Sequence, residues 1–126
     1  MISTKNFNPA TDPKLKCTCE HSQCDKRSVK QWVLNQVQEI RNEANRPLTI
    51  TSGGRCPYHS DEIRRVNPAD HQKCIAVDIA VSNGTERSEI VRLGIKHGAT
   101  AIGPANQFVH LGWRVNETPV MWLYPF

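Results

Sequence analysis

The stretch Ile75-Ala76-Val77-Asp78-Ile79-Ala80-Val81 constrains this chain more than any other. Its alternation is that of a β-strand, with Ile75, Val77, Ile79 and Val81 on one side and Ala76, Asp78 and Ala80 on the other. The branched face demands a core. The opposite face carries a carboxylate among small residues, and burying that charge is costly unless a cation or hydrogen-bond donors compensate it. Phe108 to Trp113 repeats the arrangement: Val109, Leu111 and Trp113 share one face, and Phe108, His110 and Gly112 the other. His71 lies just ahead of the first strand, in HQKCIAVD.

Two imidazoles and a carboxylate are a recurring three-ligand set for a catalytic zinc, with the fourth position left for water. His71, Asp78 and His110 are therefore the expected ligands. Zn²⁺ is the expected ion, because these borderline donors suit tetrahedral coordination. Such an ion polarises a carbonyl and lowers the pKa of water to about 7, which is the chemistry of amide or ester hydrolysis. Arg55 follows Ser52-Gly53-Gly54, where glycines permit close approach of backbone and substrate. Its guanidinium suits a bidentate grip on a substrate carboxylate or stabilisation of an oxyanion. Pairing with an acid such as Asp61 is the plainer alternative.

Around these residues the pattern predicts an α+β domain spanning residues 1–126, with two main helices packed on a small, mostly antiparallel sheet. Residues 1–27 read as a loop-rich arm broken by Pro9 and Pro13. Apolar positions Val29, Trp32, Val33, Val37, Ile40 and Ala44 predict a helix over 28–44, closed by Asn45 ahead of Pro47. A short strand is expected at 48–51 and a long polar loop over 56–70 that wraps the site, with one helical turn. After the strand at 75–81, Asn83-Gly84 closes it and Thr85 caps a helix to about Lys96, with Ile90, Leu93 and Ile95 as apolar positions. Strands are expected at 100–102 and 108–114, joined across Gly103-Pro104, with an edge strand in 120–123.

With 38% hydrophobic and 22% charged residues, the composition argues against disorder. No apolar run approaches the roughly 20 residues that span a bilayer. The opening MISTKNFNPATDPK lacks an apolar signal region. Synthesis in a cytoplasm is expected, and action outside it would need another exit route. The net charge of +4 is scattered, so neither a nucleic-acid nor a membrane partner is expected; a monomer is the default expectation, although nothing in the sequence fixes oligomeric state. A basic zinc module on nucleic acid is a weaker idea, since the aromatics are not interleaved with a basic run.

Cys17, Cys19 and Cys24 cluster in KCTCEHSQC around His21, while Cys56 and Cys74 stand alone. Two readings remain open. The three thiols and His21 make a second, structural zinc site, or buried thiols pin an irregular arm. The spacing departs from the usual C-x2-4-C pairs and favours the second.

The segments SGGRCPYHS, DHQKCIAVDI and FVHLGWR, with the opening TKNF and its CxC pair, resemble the zinc D-Ala-D-Ala carboxypeptidase and phage L-alanyl-D-glutamate endopeptidase family, above all its short phage-type members. The resemblance runs from Lys5 to about Arg114. It implies zinc on His71, Asp78 and His110, Arg55 holding the substrate, and Ser52 and His59 lining the same pocket. The partner it implies is a peptidoglycan stem peptide, hydrolysed in carboxypeptidase or endopeptidase mode. Three positions depart from the family pattern: Ala69 replaces a serine, Cys74 a common glycine, and Gly112 the aspartate of FVHVDVR. A general acid or base is therefore missing beside His110. Asp70 is the candidate to fill that role, with Asp61, Glu62 and His59 as others. The same gap sustains a rival, a catalytically silent, metal-stabilised binding or structural protein derived from such peptidases.

Overall fold

A computed structural model describes residues 1–125. The chain forms α1 (Gln31–Ala44), β1 (Ile50–Ser52), β2 (Ala76–Ala80), α2 (Gly84–Lys96), β3 (Ala101–Pro104), β4 (Phe108–Gly112) and β5 (Val120–Met121), preceded by a 3-10 turn at Pro13–Leu15. The sheet order is β1-β2-β4-β3-β5, antiparallel except where β5 runs parallel to β3. The expected α+β architecture is present: two helices cover one face of a mostly antiparallel sheet.

The alternation explains the layers. Val77, Ile79, Val109 and Leu111 point to one side and are fully buried with Val33, Leu34, Val37 and Ile40 of α1 and Ile90 of α2. Each such side chain contributes about 1.5–3 kcal/mol by leaving water. Gly94 lets α2 approach closely, since a Cβ there would lie 2.5 Å from Leu111 Cδ2. Asn45 ends α1 in the left-handed conformation (φ 53°), and its amide reaches Arg41 O.

Several local expectations shift. Trp32 is 41% exposed and Ile95 54%, so Leu34, rather than Trp32, completes the buried stripe of α1. The cap of α2 is Asn83, whose side chain accepts from the Glu86 amide, so Thr85 already lies inside the helix. The β3–β4 turn falls at 105–107, because Gly103 and Pro104 pair with His110 and Val109. The 56–70 loop holds turns but no helix. Cys74 adopts φ 63°, a conformation in which glycine is unstrained, which accounts for glycine being the common residue there.

The N-terminal arm is docked. Phe7 and Leu15 are buried, and Gln38 of α1 accepts from Thr4 Oγ1 and the Asn6 amide while donating to Asn6 Oδ1. Among the described residues, no helix is long and apolar enough to cross a membrane.

Candidate metal centre and its cavity

The antiparallel register sets Asp78 of β2 directly opposite His110 of β4, on the face away from the helices. A cross-strand pair projects its side chains side by side, so this one register fixes two of the three donors. His71 enters from the loop before β2. Its Nε2 lies 3.2 Å from Asp78 Oδ1, and His110 Nδ1 lies 3.1 Å from the same oxygen and 3.2 Å from His71 Nε2. Zinc bonds of about 2.0–2.1 Å in a tetrahedron require donor separations of about 3.3–3.4 Å. The three atoms are nearly at that spacing already.

The outer nitrogens of both rings are committed. His71 Nδ1 donates to Gly53 O at 2.7 Å, which leaves Nε2 as a lone pair facing inward. His110 Nε2 donates to Asp70 Oδ2 at 3.0 Å, which directs Nδ1 to the same point. Outer partners of this kind fix the tautomer of metal-bound histidines. Three inward acceptors sharing no hydrogen are mutually repulsive unless a cation or a proton joins them, so the donor set fits zinc. Burial pushes the His110 pKa down, but its bonds to Asp70 and Asp78 outweigh this and raise it. Burial likewise opposes the Asp78 charge, and the two imidazoles overcome it and hold the carboxyl well below its usual range.

The other expected site residues separate into two groups. Arg55 and Asp70 line the cavity above the three donors, a space of about 560 Å³. The Arg55 guanidinium is 3.3 Å from buried Glu62, 3.8 Å from Asp61 and 3.9 Å from Asp78 Oδ2, so it joins the rim acids to a proposed ligand. Asp70 lies behind His110 with both oxygens engaged, Oδ2 by His110 and Oδ1 by Arg114 Nε at 2.8 Å. Despite the cost of burial, these partners bring its pKa to about 2. Ser52 and His59 are not brought into the cavity. Ser52 pairs with Asp78 through the backbone of β1, and His59 lines a separate groove beside Cys19 and Tyr58.

Gly112 resolves one departure from the family pattern. A Cβ there would stand 2.7 Å from Asp70 Oδ2. The carboxylate of the loop residue Asp70 occupies space that any side chain at 112 would fill.

One wall of the cavity is absent from the sequence-based expectation. Trp122 and Tyr124, held beyond β5 by backbone N–H hydrogen bonds donated to Ile102 O and Pro104 O, line it together with Phe108. The Trp122 ring sits 5.1 Å from His110 and under the Arg114 guanidinium. Gly103 makes the room: a Cβ there would lie 2.6 Å from the indole. A glycine inside a strand is the signal that marks such a close approach.

No curated protein sequence matches this chain. A family model described as Peptidase M15 matches residues 6–112, which covers the docked arm, the site loop and all three donors. By that match the chain belongs to the M15 peptidases, the family of the zinc D-Ala-D-Ala carboxypeptidases.

Proposed function

We propose that this protein is a zinc-dependent peptidase that hydrolyses an amide bond in peptidoglycan stem peptides, as a D-Ala-D-Ala carboxypeptidase or an endolysin-type endopeptidase. One observation carries the reading: three inward lone pairs on His71, Asp78 and His110, 3.1–3.2 Å apart, lie beneath a cavity rimmed by Arg55. Zinc held by these three would supply Lewis acidity, polarising a carbonyl and acidifying water. The remaining work belongs to the chain. Gly53 O and Asp70 keep the two imidazoles in the ligating tautomer. Arg55 offers its guanidinium to a substrate carboxylate, in exchange for the largely exposed Asp61, while buried Glu62 holds its other edge. Trp122, Tyr124 and Phe108 shield one side from water and offer apolar contact to the peptide.

Asp70 acts in this reading as a positioning residue. A carboxylate with both oxygens bound and a pKa of about 2 is a poor proton acceptor at neutral pH. That same observation favours the alternative of a metal-binding but catalytically silent relative. Mass analysis of muropeptides and of a D-Ala-D-Ala-terminated stem peptide, with zinc and with chelator, separates the two. Chelator-sensitive cleavage that disappears in His110→Ala supports the peptidase. Intact substrates at every zinc level, with metal bound, overturn it.

A further inference from the structure

The thiols outside the cavity form a second constellation. Cys56, which stands alone in the sequence, joins Cys17, Cys19 and Cys24, and the four sulfurs all lie within 4.8 Å of one another. Cys19 Sγ is 3.5 Å from Cys17 Sγ and 3.4 Å from Cys56 Sγ. These separations far exceed the roughly 2.05 Å of a disulfide. They approach the edge of about 3.8 Å in a tetrahedron of sulfurs around zinc at about 2.3 Å. His21 is not the fourth member: it stacks on Tyr58 at 4.3 Å, and its Nδ1 accepts from the Gln23 amide.

The backbone is arranged for thiolates. The Lys26 amide donates to Cys24 Sγ at 3.4 Å, with Lys26 at φ 53°. A donor aimed at a sulfur favours its deprotonated, ligating form. The Lys26 ammonium bonds Cys19 O at 2.8 Å and adds positive charge beside the cluster.

We propose that Cys17, Cys19, Cys24 and Cys56 form a closed, tetrahedral thiolate site for a structural zinc ion, separate from the His71–Asp78–His110 centre. Four protein donors leave no open position, which marks a structural site. The ion ties the N-terminal arm to the loop that carries Arg55. Cys56 directly follows Arg55, and the preceding glycines lie against the arm: Gly54 N bonds Leu15 O, and a Cβ on Gly54 would stand 2.4 Å from Arg27 O. Gly53 O is also the acceptor that orients His71. The thiolate site thereby braces the catalytic cavity from behind.

The test is metal content by mass spectrometry, together with cobalt substitution of the reduced protein. Wild type should bind about two zinc ions per chain, and its cobalt form should show the near-ultraviolet thiolate-to-metal band. His110→Ala should keep that band and lose one ion, whereas Cys24→Ser should lose the band and keep the ion of the histidine centre. Should Cys24→Ser fail to fold, cobalt titration of metal-stripped wild type gives the same readout. The proposal is overturned by a single zinc that vanishes in His110→Ala, by reduced wild type without the thiolate band, or by intact-mass evidence of disulfides among these four cysteines. None of these outcomes depends on whether the protein cleaves peptidoglycan.

Discussion

The two donor clusters are built in opposite ways. Asp78 and His110 are carried by the central strand pair, and the ladder that aligns them exists whether or not an ion is present. The four cysteines lie outside helices and strands, on segments with little regular hydrogen bonding of their own. On the sheet the scaffold makes the site. In the arm the site would make the scaffold. An ion at the first should therefore govern chemistry, and an ion at the second should govern stability.

The largest effect sharpens that contrast. His110→Ala should abolish cleavage of stem peptides while the chain still folds, because Val109 and Leu111 hold β4 in the core, with a lowered thermal transition from the lost bonds to Asp70 and Asp78. Muropeptide analysis paired with calorimetry checks both halves. A collapse of the fold would break the comparison. Cys24→Ser should lower the melting temperature by about 5 °C or more, since each kcal/mol lost from a small domain shifts it by several degrees. Its cleavage rate at low temperature should fall much less than that of His110→Ala.

Asp70→Asn comes next. Altering the carboxylate behind a ligating histidine typically costs 10–100-fold in metal affinity. Asparagine keeps an acceptor oxygen but loses the charge, so zinc binding at the histidine centre should weaken by about 10-fold while the thiolate–cobalt band stays unchanged. A pH signature accompanies it in the metal-free protein. The folded pKa of Asp70, about 2, lies below its ordinary 3.8. Its stabilisation is then fully present above about pH 4 and is lost as pH falls through 2. Urea melts should show wild type ahead of the variant at pH 6, with the gap closing toward pH 2.

How far these features could be read from the chain follows the same division. Period-two alternation in 75–81 and 108–113 gave the strands, their buried faces and the side on which Asp78 and His110 project, because a strand's geometry is local. The α+β class followed from the two periodic helices. What the alternation could not give is anything created by distant contact. Cys56 is 32 positions beyond Cys24 in the chain, and only the docking of the arm against Gly53-Gly54 unites them. Trp122 and Tyr124 reach the cavity through a parallel pairing of β5 with β3 that no local pattern announces. The sequence shows Asp70 beside His71, but its role depends on which ring it faces, and that ring is His110. Ser52 and His59 came from the family resemblance, and their side chains lie outside the cavity lining.

The smallest effect tests the most local point, the substitution of glycine for an acid beside His110. Gly112→Ala adds one methyl group on the strand face that holds the donors. Its Cβ would meet Asp70 Oδ2 at 2.7 Å and Ala101 Cβ at 3.2 Å, so one neighbour must yield. The Ala101 side chain is fixed by the β3–β4 ladder, where Ala101 pairs with Gly112 itself. Asp70 sits on a loop and should be the one to move, lengthening its bond to His110 Nε2 and freeing the ring to turn. Zinc affinity should then drop by less than in Asp70→Asn, by several-fold, since the carboxylate is displaced but still present. Combining the two changes should add little to Asp70→Asn alone, because the methyl group acts through a carboxylate that is already gone. Additive losses in that double-mutant cycle, read by zinc titration, would show that Gly112 serves the sheet instead of making room for Asp70.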